Sequence, residues 1–283
     1  AGADLMLGTV AHRFERADGQ VLVWARTPQG ELQLRAPLLV GADGAISRVA
    51  RWLGRTGRQE VIPAEKLDIV FSGRCPDQVE IFVGNNVAPG WFGWVIPTTE
   101  RQATIGVGTT SSLRDCIPAF LELVQQRFGW RLGRFREVGR RAAYPLSHIR
   151  ALKSARQRVA IVGNAAHTLH PIAGQGFNLG IRDVAVLAEV VQEAHREGLD
   201  IGSRQVLQDY DRWRHKDQQA VALATDGLVR LFTNPLRPVK LARNLGMLAL
   251  DGLPMVRHGL ARTAMGVHGR LPKLARGLGL DSY

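Results

Sequence analysis

The sequence predicts an α/β layer interrupted by an antiparallel sheet and followed by a helical tail. Two observations carry this. Residues 36–54 (APLLVGADGAISRVARWLG) and 158–196 (opening RVAIVGNAAHTLHPIAGQGFNLGIRD) each run apolar strand, Gly-rich loop, helix, which is the form of parallel α/β units. Between them, residues 67–109 hold four apolar segments separated by short turns, and such closely spaced strands pair antiparallel. One domain interrupted by another explains this order. It assigns 1–60 and 157–200 to the α/β layer, 61–156 to the inserted sheet and 201–283 to the tail.

Each element has its own signal. Residues 19–26 (GQVLVWAR) and 30–35 (GELQLR) alternate apolar and polar side chains around a turn containing Pro28, Gln29 and Gly30, so they predict a hairpin. A strand ending near Gly41 leads through Asp43 and Gly44 into a short helix with Arg48 and Arg51. The segments LDIVFSG, VEIFVGN, WFGWVIPT and ATIGVGT form the inserted sheet, and 115–128 reads as helix. RVAIVG (158–163) is apolar throughout, as a strand buried on both faces requires. After it, Phe177, Ile181, Val184, Ala188 and Val191 recur at spacings of four and three, which marks a helix. The remainder is helix broken at Pro235, Pro238, Pro254 and Pro272.

With 37 Lys and Arg against 25 Asp and Glu, the net charge is +12. Between Arg230 and Arg276 stand nine basic residues and a single acid, Asp251. This excess favours an anionic partner: a membrane surface, a nucleic acid or a phosphate-bearing cofactor. Nucleic acid is disfavoured, because no zinc, helix-turn-helix or RNA-platform motif accompanies the charge. Arg237, Lys240, Arg243, Arg257, Arg262, Arg270, Lys273 and Arg276 alternate with Leu, Val and Met, as in helices that lie on anionic membranes. The same pattern also suits a solvated helical face covering the α/β layer. Cys75 and Cys116 lack metal spacing and read as reduced thiols of a cytoplasmic protein. No signal-peptide pattern opens the chain, and no apolar run approaches the roughly 18 residues that span a bilayer.

Two loops carry the chemistry. Asp43 lies just past the carboxyl end of its strand, where open α/β sheets bind ligands. Its carboxylate can accept from sugar-type hydroxyls while Gly44 admits close backbone approach, or it can cap the helix that follows. In the second loop Gly163 ends the strand, Asn164 offers an amide, Pro171 stiffens the crossing, and AGQG opens the next helix with free backbone N–H groups. Gly174, Gly176 and Gly180 read G-x-G-x-x-x-G, one residue too long for a dinucleotide fingerprint. Such a helix start would stabilise a ring that becomes anionic on reduction. His167 and His170 lack the further ligands a metal site needs and read as loop packing, so no metal is expected. Trp91, Phe92 and Trp94 fit either a sheet core or the wall of an apolar pocket.

GADGAISRVAR (41–51) resembles the D-G motif of flavin-dependent aromatic hydroxylases, and GNAAHTLHPIAGQGFNLGIRD (163–183) resembles their second FAD motif, usually written with G-D where Gly163 and Asn164 stand here. The Asn form with TLHPIAGQGFNLG is similar to the hydroxylases of ubiquinone biosynthesis that act on polyprenylated phenols. Residues 128–151 and 210–234 resemble the 2-octaprenyl-6-methoxyphenol hydroxylase branch, whereas 77–108 look more like the geranylgeranyl-reductase group of the same superfamily.

The resemblance implies an FAD-binding Rossmann-like layer lacking its N-terminal βαβ unit, with an antiparallel-sheet substrate domain and a helical C-terminal region. Roughly a hundred residues would supply the missing unit. It further implies that Asp43, Gly44, Gly163 and Asn164 meet the pyrophosphate and ribityl chain, and that Pro171, Gly174, Gln175, Gly176 and Asn178 surround the flavin ring. NAD(P)H would be the reductant, O2 the oxidant and a polyprenylated phenol the substrate, at the inner membrane and in assembly with other proteins of the pathway. No catalytic side chain is identified. Two alternatives stay open: a reductase of prenyl double bonds, and a non-catalytic flavoprotein remnant that binds membrane or partners.

Overall fold

The computed structural model describes residues 2–54, 60–75, 77–150, 153–168, 175–234, 236–255, 257–259 and 270–281. The chain forms two compact units, one of residues 1–59, 149–223 and 260–283, the other of 60–148 and 224–259. Of the segment 201–283, residues 201–223 and 260–283 fall in the first unit and 224–259 in the second.

In the first unit, strands β1 (Val10–Ala17), β2 (Gln20–Thr27) and β3 (Gly30–Ala36) make an antiparallel sheet in the order β1-β2-β3. Val21, Val23 and Ala25 alternate into its buried face, as a period of two demands. Asp18 and Gly19 both have positive φ, the pair that a tight right-twisted hairpin turn requires. The sequence reading has no β1, because its eight residues VAHRFERA carry charge on both faces and show no apolar alternation.

A second small sheet holds β10 (Ala155–Arg156), β11 (Val159–Ile161) and β4 (Leu39–Gly41), and β4 and β11 are parallel neighbours. Val159, Ala160 and Ile161 are all fully buried, which explains their unbroken apolar run. Helix α1 (Arg48–Trp52) follows β4, and helix α3 (Gln175–Arg196) packs Val186, Leu187, Val190 and Ala194 onto Val162 and Tyr210. The stripe that marks α3 in the sequence is not its core face over the first half, since Phe177, Ile181 and Val184 are exposed. The helix is apolar on two sides, and the side bearing Leu179, Val186 and Val190 packs inward.

In the second unit β9 (Phe135–Arg150), β5 (Glu60–Phe71), β8 (Gln102–Gly108), β7 (Phe92–Pro97) and β6 (Glu80–Val83) lie side by side in that order, all antiparallel. Helix α2 (Leu113–Leu132) covers one face, setting Ile117, Phe120 and Val124 against Ile69, Val95 and Ile105. Burying each such side chain contributes about 1.5–3 kcal/mol. Strand β9 has no counterpart in the sequence reading, since Gly139, Pro145 and its arginines break every alternation. Gly139, at φ 75°, lies where the β5–β9 register shifts, and a bulge there absorbs the irregularity. Helix α4 (Arg204–Thr233) passes from the first unit into the second, and α5 (Arg237–Gly252) follows.

Candidate functional site

Two loops 120 residues apart in sequence leave the carboxyl ends of adjacent parallel strands. Ile161 pairs with Gly41, and Val162 N–H donates to the Gly41 carbonyl at 3.0 Å, so the Asp43–Gly44 loop and the Gly163–Asn164 turn emerge side by side. Open α/β sheets bind ligands at such an edge. Gly163 (φ 58°) starts a 3-10 turn through Ala165, and a Cβ on Gly180 of α3 would lie 3.3 Å from the Gly163 Cα. The start of α3 therefore rests directly on the strand-end turn. Around Gly44 (φ 80°) and Gly176 no atom of the described residues, beyond the adjoining backbone, lies within 4 Å of where a Cβ would stand. Asn164 and Asn178 are exposed.

Behind the second turn lies a buried charge network that sequence reasoning missed. Asp183, fully buried on α3, accepts from Gly163 N–H (2.8 Å), His167 Nε2 (2.7 Å), Arg214 Nε (2.6 Å) and Gln218 Nε2 (3.2 Å). An ionised carboxylate only accepts, which assigns the His167 hydrogen to Nε2. Arg214 bonds on to Asp217 at 2.5 Å, and Arg182 reaches the same Asp217 at 2.6 Å. Tyr210 O–H donates to the Ile161 carbonyl at 2.9 Å. Burial pushes the Asp183 carboxyl upward, but the hydrogen bond and charge of His167 and the Arg214 guanidinium outweigh it and hold it below the usual range. Burial likewise opposes the Arg214 charge, and Asp183 with Asp217 more than offsets that. Burial raises Tyr210 well above an ordinary phenol, so it stays a neutral donor. The sequence carries part of the signal: Asp183 shares a helix face with apolar Leu179, Val186 and Val190, and Arg214 shares one with Leu207 and Tyr210. A charge on a buried stripe implies a buried partner.

Asp43 folds back on its own helix: Ser47 Oγ donates to it at 2.6 Å, Arg48 N–H at 2.7 Å and Val49 N–H at 3.3 Å, while Ser47 Oγ caps Ala50 N–H. Gln175 opens α3. His170, Pro171 and Gly174 lie outside the described residues. His167 is paired to Asp183, and among the described residues no group of three His, Cys, Asp or Glu is arranged to hold a metal. Trp91 and Phe92 are buried, and a Cβ on Gly108 would meet the Trp91 ring at 1.7 Å. Trp94 is half-buried, and a Cβ on Gly106 would meet its ring at 2.3 Å, so these rings pack on the glycines of β8. Both cysteines are free and buried, and burial pushes the Cys75 thiol up. A cavity of about 1130 Å³ lies between α3 and α4, lined by Arg182, Glu193, Trp213, Asp217 and Arg270 among others. Neither loop lines it.

The profile of the FAD binding domain family matches residues 2–225. The chain belongs to that family. As an FAD-binding domain it is 38% identical over 264 residues to a ubiquinone hydroxylase, UbiL, of Rhodospirillum rubrum, covering 87% of this chain and 59% of that protein. It is 30% identical over 239 residues to the 3-demethoxyubiquinol 3-hydroxylase of Escherichia coli, covering 83% and 60%. The chain thus spans about three fifths of the length of these curated relatives. Among solved structures, the fold is shared with the p-nitrophenol 4-monooxygenase PnpA of Pseudomonas putida (TM-score 0.68, 20% identity, 91% of this chain and 66% of that one). It is shared too with the anhydrotetracycline hydroxylase OxyS of Streptomyces rimosus (TM-score 0.69, 22% identity, 96% and 54%).

The residues present fit FAD. The open Gly44 loop and the Gly163 turn stand together at the ligand-binding edge, and the start of α3 lies against the second. Backbone N–H groups at a helix start suit a diphosphate or an electron-rich ring edge.

Proposed function

We propose that the protein works as an FAD-dependent monooxygenase that hydroxylates a polyprenylated phenol in ubiquinone biosynthesis, with NAD(P)H as reductant and O2 as oxidant. The observation that carries this reading is the meeting of the Asp43–Gly44 and Gly163–Asn164 loops at one sheet edge, in a chain related over most of its length to ubiquinone hydroxylases. Bound FAD would supply the activation of oxygen and the transfer of one oxygen atom to the ring. Gly163 and Asn164 would hold its pyrophosphate or ribityl chain, and the start of α3, with Gly176 and Asn178, would face the flavin ring. Asn164 in place of the usual Asp removes a carboxylate from beside a diphosphate and so removes a repulsion. Asp43, which holds the start of α1 and with it the Gly44 loop, would meet the ribityl–pyrophosphate region from that position.

Helix α5 supports docking on an anionic membrane, where a polyprenyl phenol resides. Leu241, Leu245 and Leu248, one turn apart, are 62%, 57% and 69% exposed. Half-buried Val239 and Arg243 lie on the other side, where the Arg243 guanidinium stacks on Phe232 at 5.0 Å. Exposed Arg237 and Lys240 flank the leucines, and each basic residue near such a surface contributes about 1 kcal/mol. Among the described residues no helix is long and apolar enough to cross a membrane.

Turnover of a polyprenylated phenol under oxygen-18 tests the reaction. One labelled oxygen in the product is expected, whereas a prenyl reductase gives a product with none. Sedimentation with anionic vesicles tests the docking. Binding should fall with salt and in Leu245→Gln, and equal binding to neutral vesicles would refute it.

A further inference from the structure

We propose that Asp183 is the positioning residue of the flavin turn: a single buried carboxylate sets the path of Gly163 to His167 and ties that turn to helix α4. The inference rests on reading the turn as part of the flavin site.

The turn is fixed at both ends, and Asp183 holds both. Val162 N–H is satisfied by the Gly41 carbonyl and Ala166 N–H by the Gly163 carbonyl. Gly163 N–H, the first donor past the strand pairing, goes to Asp183 Oδ2. His167, at the far end, reaches the same oxygen through Nε2, and its Nδ1 has no partner among the described residues. Between these anchors Asn164 is the exposed residue, so its presentation follows from where Gly163 and His167 are held. The other oxygen, Oδ1, takes Arg214 and Gln218 from α4. Asp183, Arg214, Asp217 and Arg182 then alternate in sign, so the carboxylate is balanced inside the fold and not by solvent.

Donor arithmetic makes the idea testable. Asp183 offers two acceptor oxygens to four donors. Asparagine has nearly the same shape but one acceptor; His167 can switch tautomer and Gln218 can turn its amide, whereas Gly163 N–H and Arg214 can only donate. Asp183→Asn must therefore release either Gly163 N–H or Arg214. Arg214 is a fixed cation, so the amide oxygen should stay with it and the turn should be released.

The test is residue-resolved amide exchange on the protein without cofactor, comparing wild type with Asp183→Asn and, as a control, Asp200→Asn. Asp200 pairs with Arg158 elsewhere in the same unit, away from the turn. Losing one charge-assisted bond predicts that Gly163 exchange in Asp183→Asn rises at least about tenfold, while Val186 and Val190 of α3 stay protected. The nitrogen shifts of the His167 ring should move with it. In Asp200→Asn the Gly163 amide and the ring should be unchanged. A Gly163 amide as protected in Asp183→Asn as in wild type, or one that rises in step with every α3 amide, would overturn the proposal. Should Asp183→Asn not fold, Gln218→Leu removes one donor and leaves the charges intact. Gly163 exchange should then rise about threefold with Val186 unchanged, and no rise would overturn the proposal. Because exchange is read without cofactor, a wild-type protein that takes up no FAD would refute the flavin reading and leave this result standing.

Discussion

The Asp43 loop and the Gly163 turn occupy equivalent places, each leaving the carboxyl end of one of two paired parallel strands, yet they are held in opposite ways. Asp43 is exposed and, among the described residues, bonds to those four to six positions ahead, so its loop is a local device built by helix capping. Gly163 is held by a fully buried carboxylate 20 residues later, itself balanced by an arginine 31 residues further on. The difference teaches that a cofactor loop can be shaped by its neighbours in sequence or by a distant buried charge, and only the second ties it to the rest of the fold.

The largest test of that contrast pairs Arg214→Leu with Asp43→Ala. Removing Arg214 leaves Asp183 buried without its balancing charge and should cost about 3–5 kcal/mol in urea unfolding. Removing the Asp43 cap should cost about 1 kcal/mol. Equal losses in the two variants would erase the distinction between a local and a tertiary hold.

Acid sharpens the comparison further. Asp183 is held below the usual carboxylate range by the groups facing it, His167 from the turn and Arg214 from α4, with Gln218 beside them. A carboxylate depressed on folding contributes stability above its unfolded value of about 3.9 and loses it as pH falls through the folded value. Unfolding midpoints should thus drop below about pH 4 more steeply in wild type than in Asp183→Asn. Parallel pH profiles would show that Asp183 does not carry this dependence.

The same contrast explains what could be read from the sequence. Both loops were legible, because Gly44, Gly163 and Gly176 stand where the backbone turns or must be open, and strand–loop–helix order places them at one edge. The hold on Asp43 was legible as one of two alternatives, since Ser47, Arg48 and Val49 follow it directly. The hold on Gly163 was not, because periodicity reports which face of α3 is apolar and not which distant arginine meets the acid on it. The apolar stripe misled for a related reason: Phe177, Ile181 and Val184 repeat as well as Leu179, Val186 and Val190, and only packing chooses between them. Strands β1 and β9 escaped because charge, Gly139 and Pro145 hide their alternation, and pairing with β2 and β5 supplies the stability that their own patterns do not advertise.

Whether the two loops form one flavin site is read from an FAD titration followed by amide nitrogen–proton spectra, since shifts register even weak binding. The amides of Gly44, Gly163, Asn164, Gly176 and Asn178 should move together along one binding curve, while those lining the cavity around Trp213 stay still. Shifts centred on Trp213 and Arg270 with the two loops unmoved, or no shifts at all, would contradict a single flavin site.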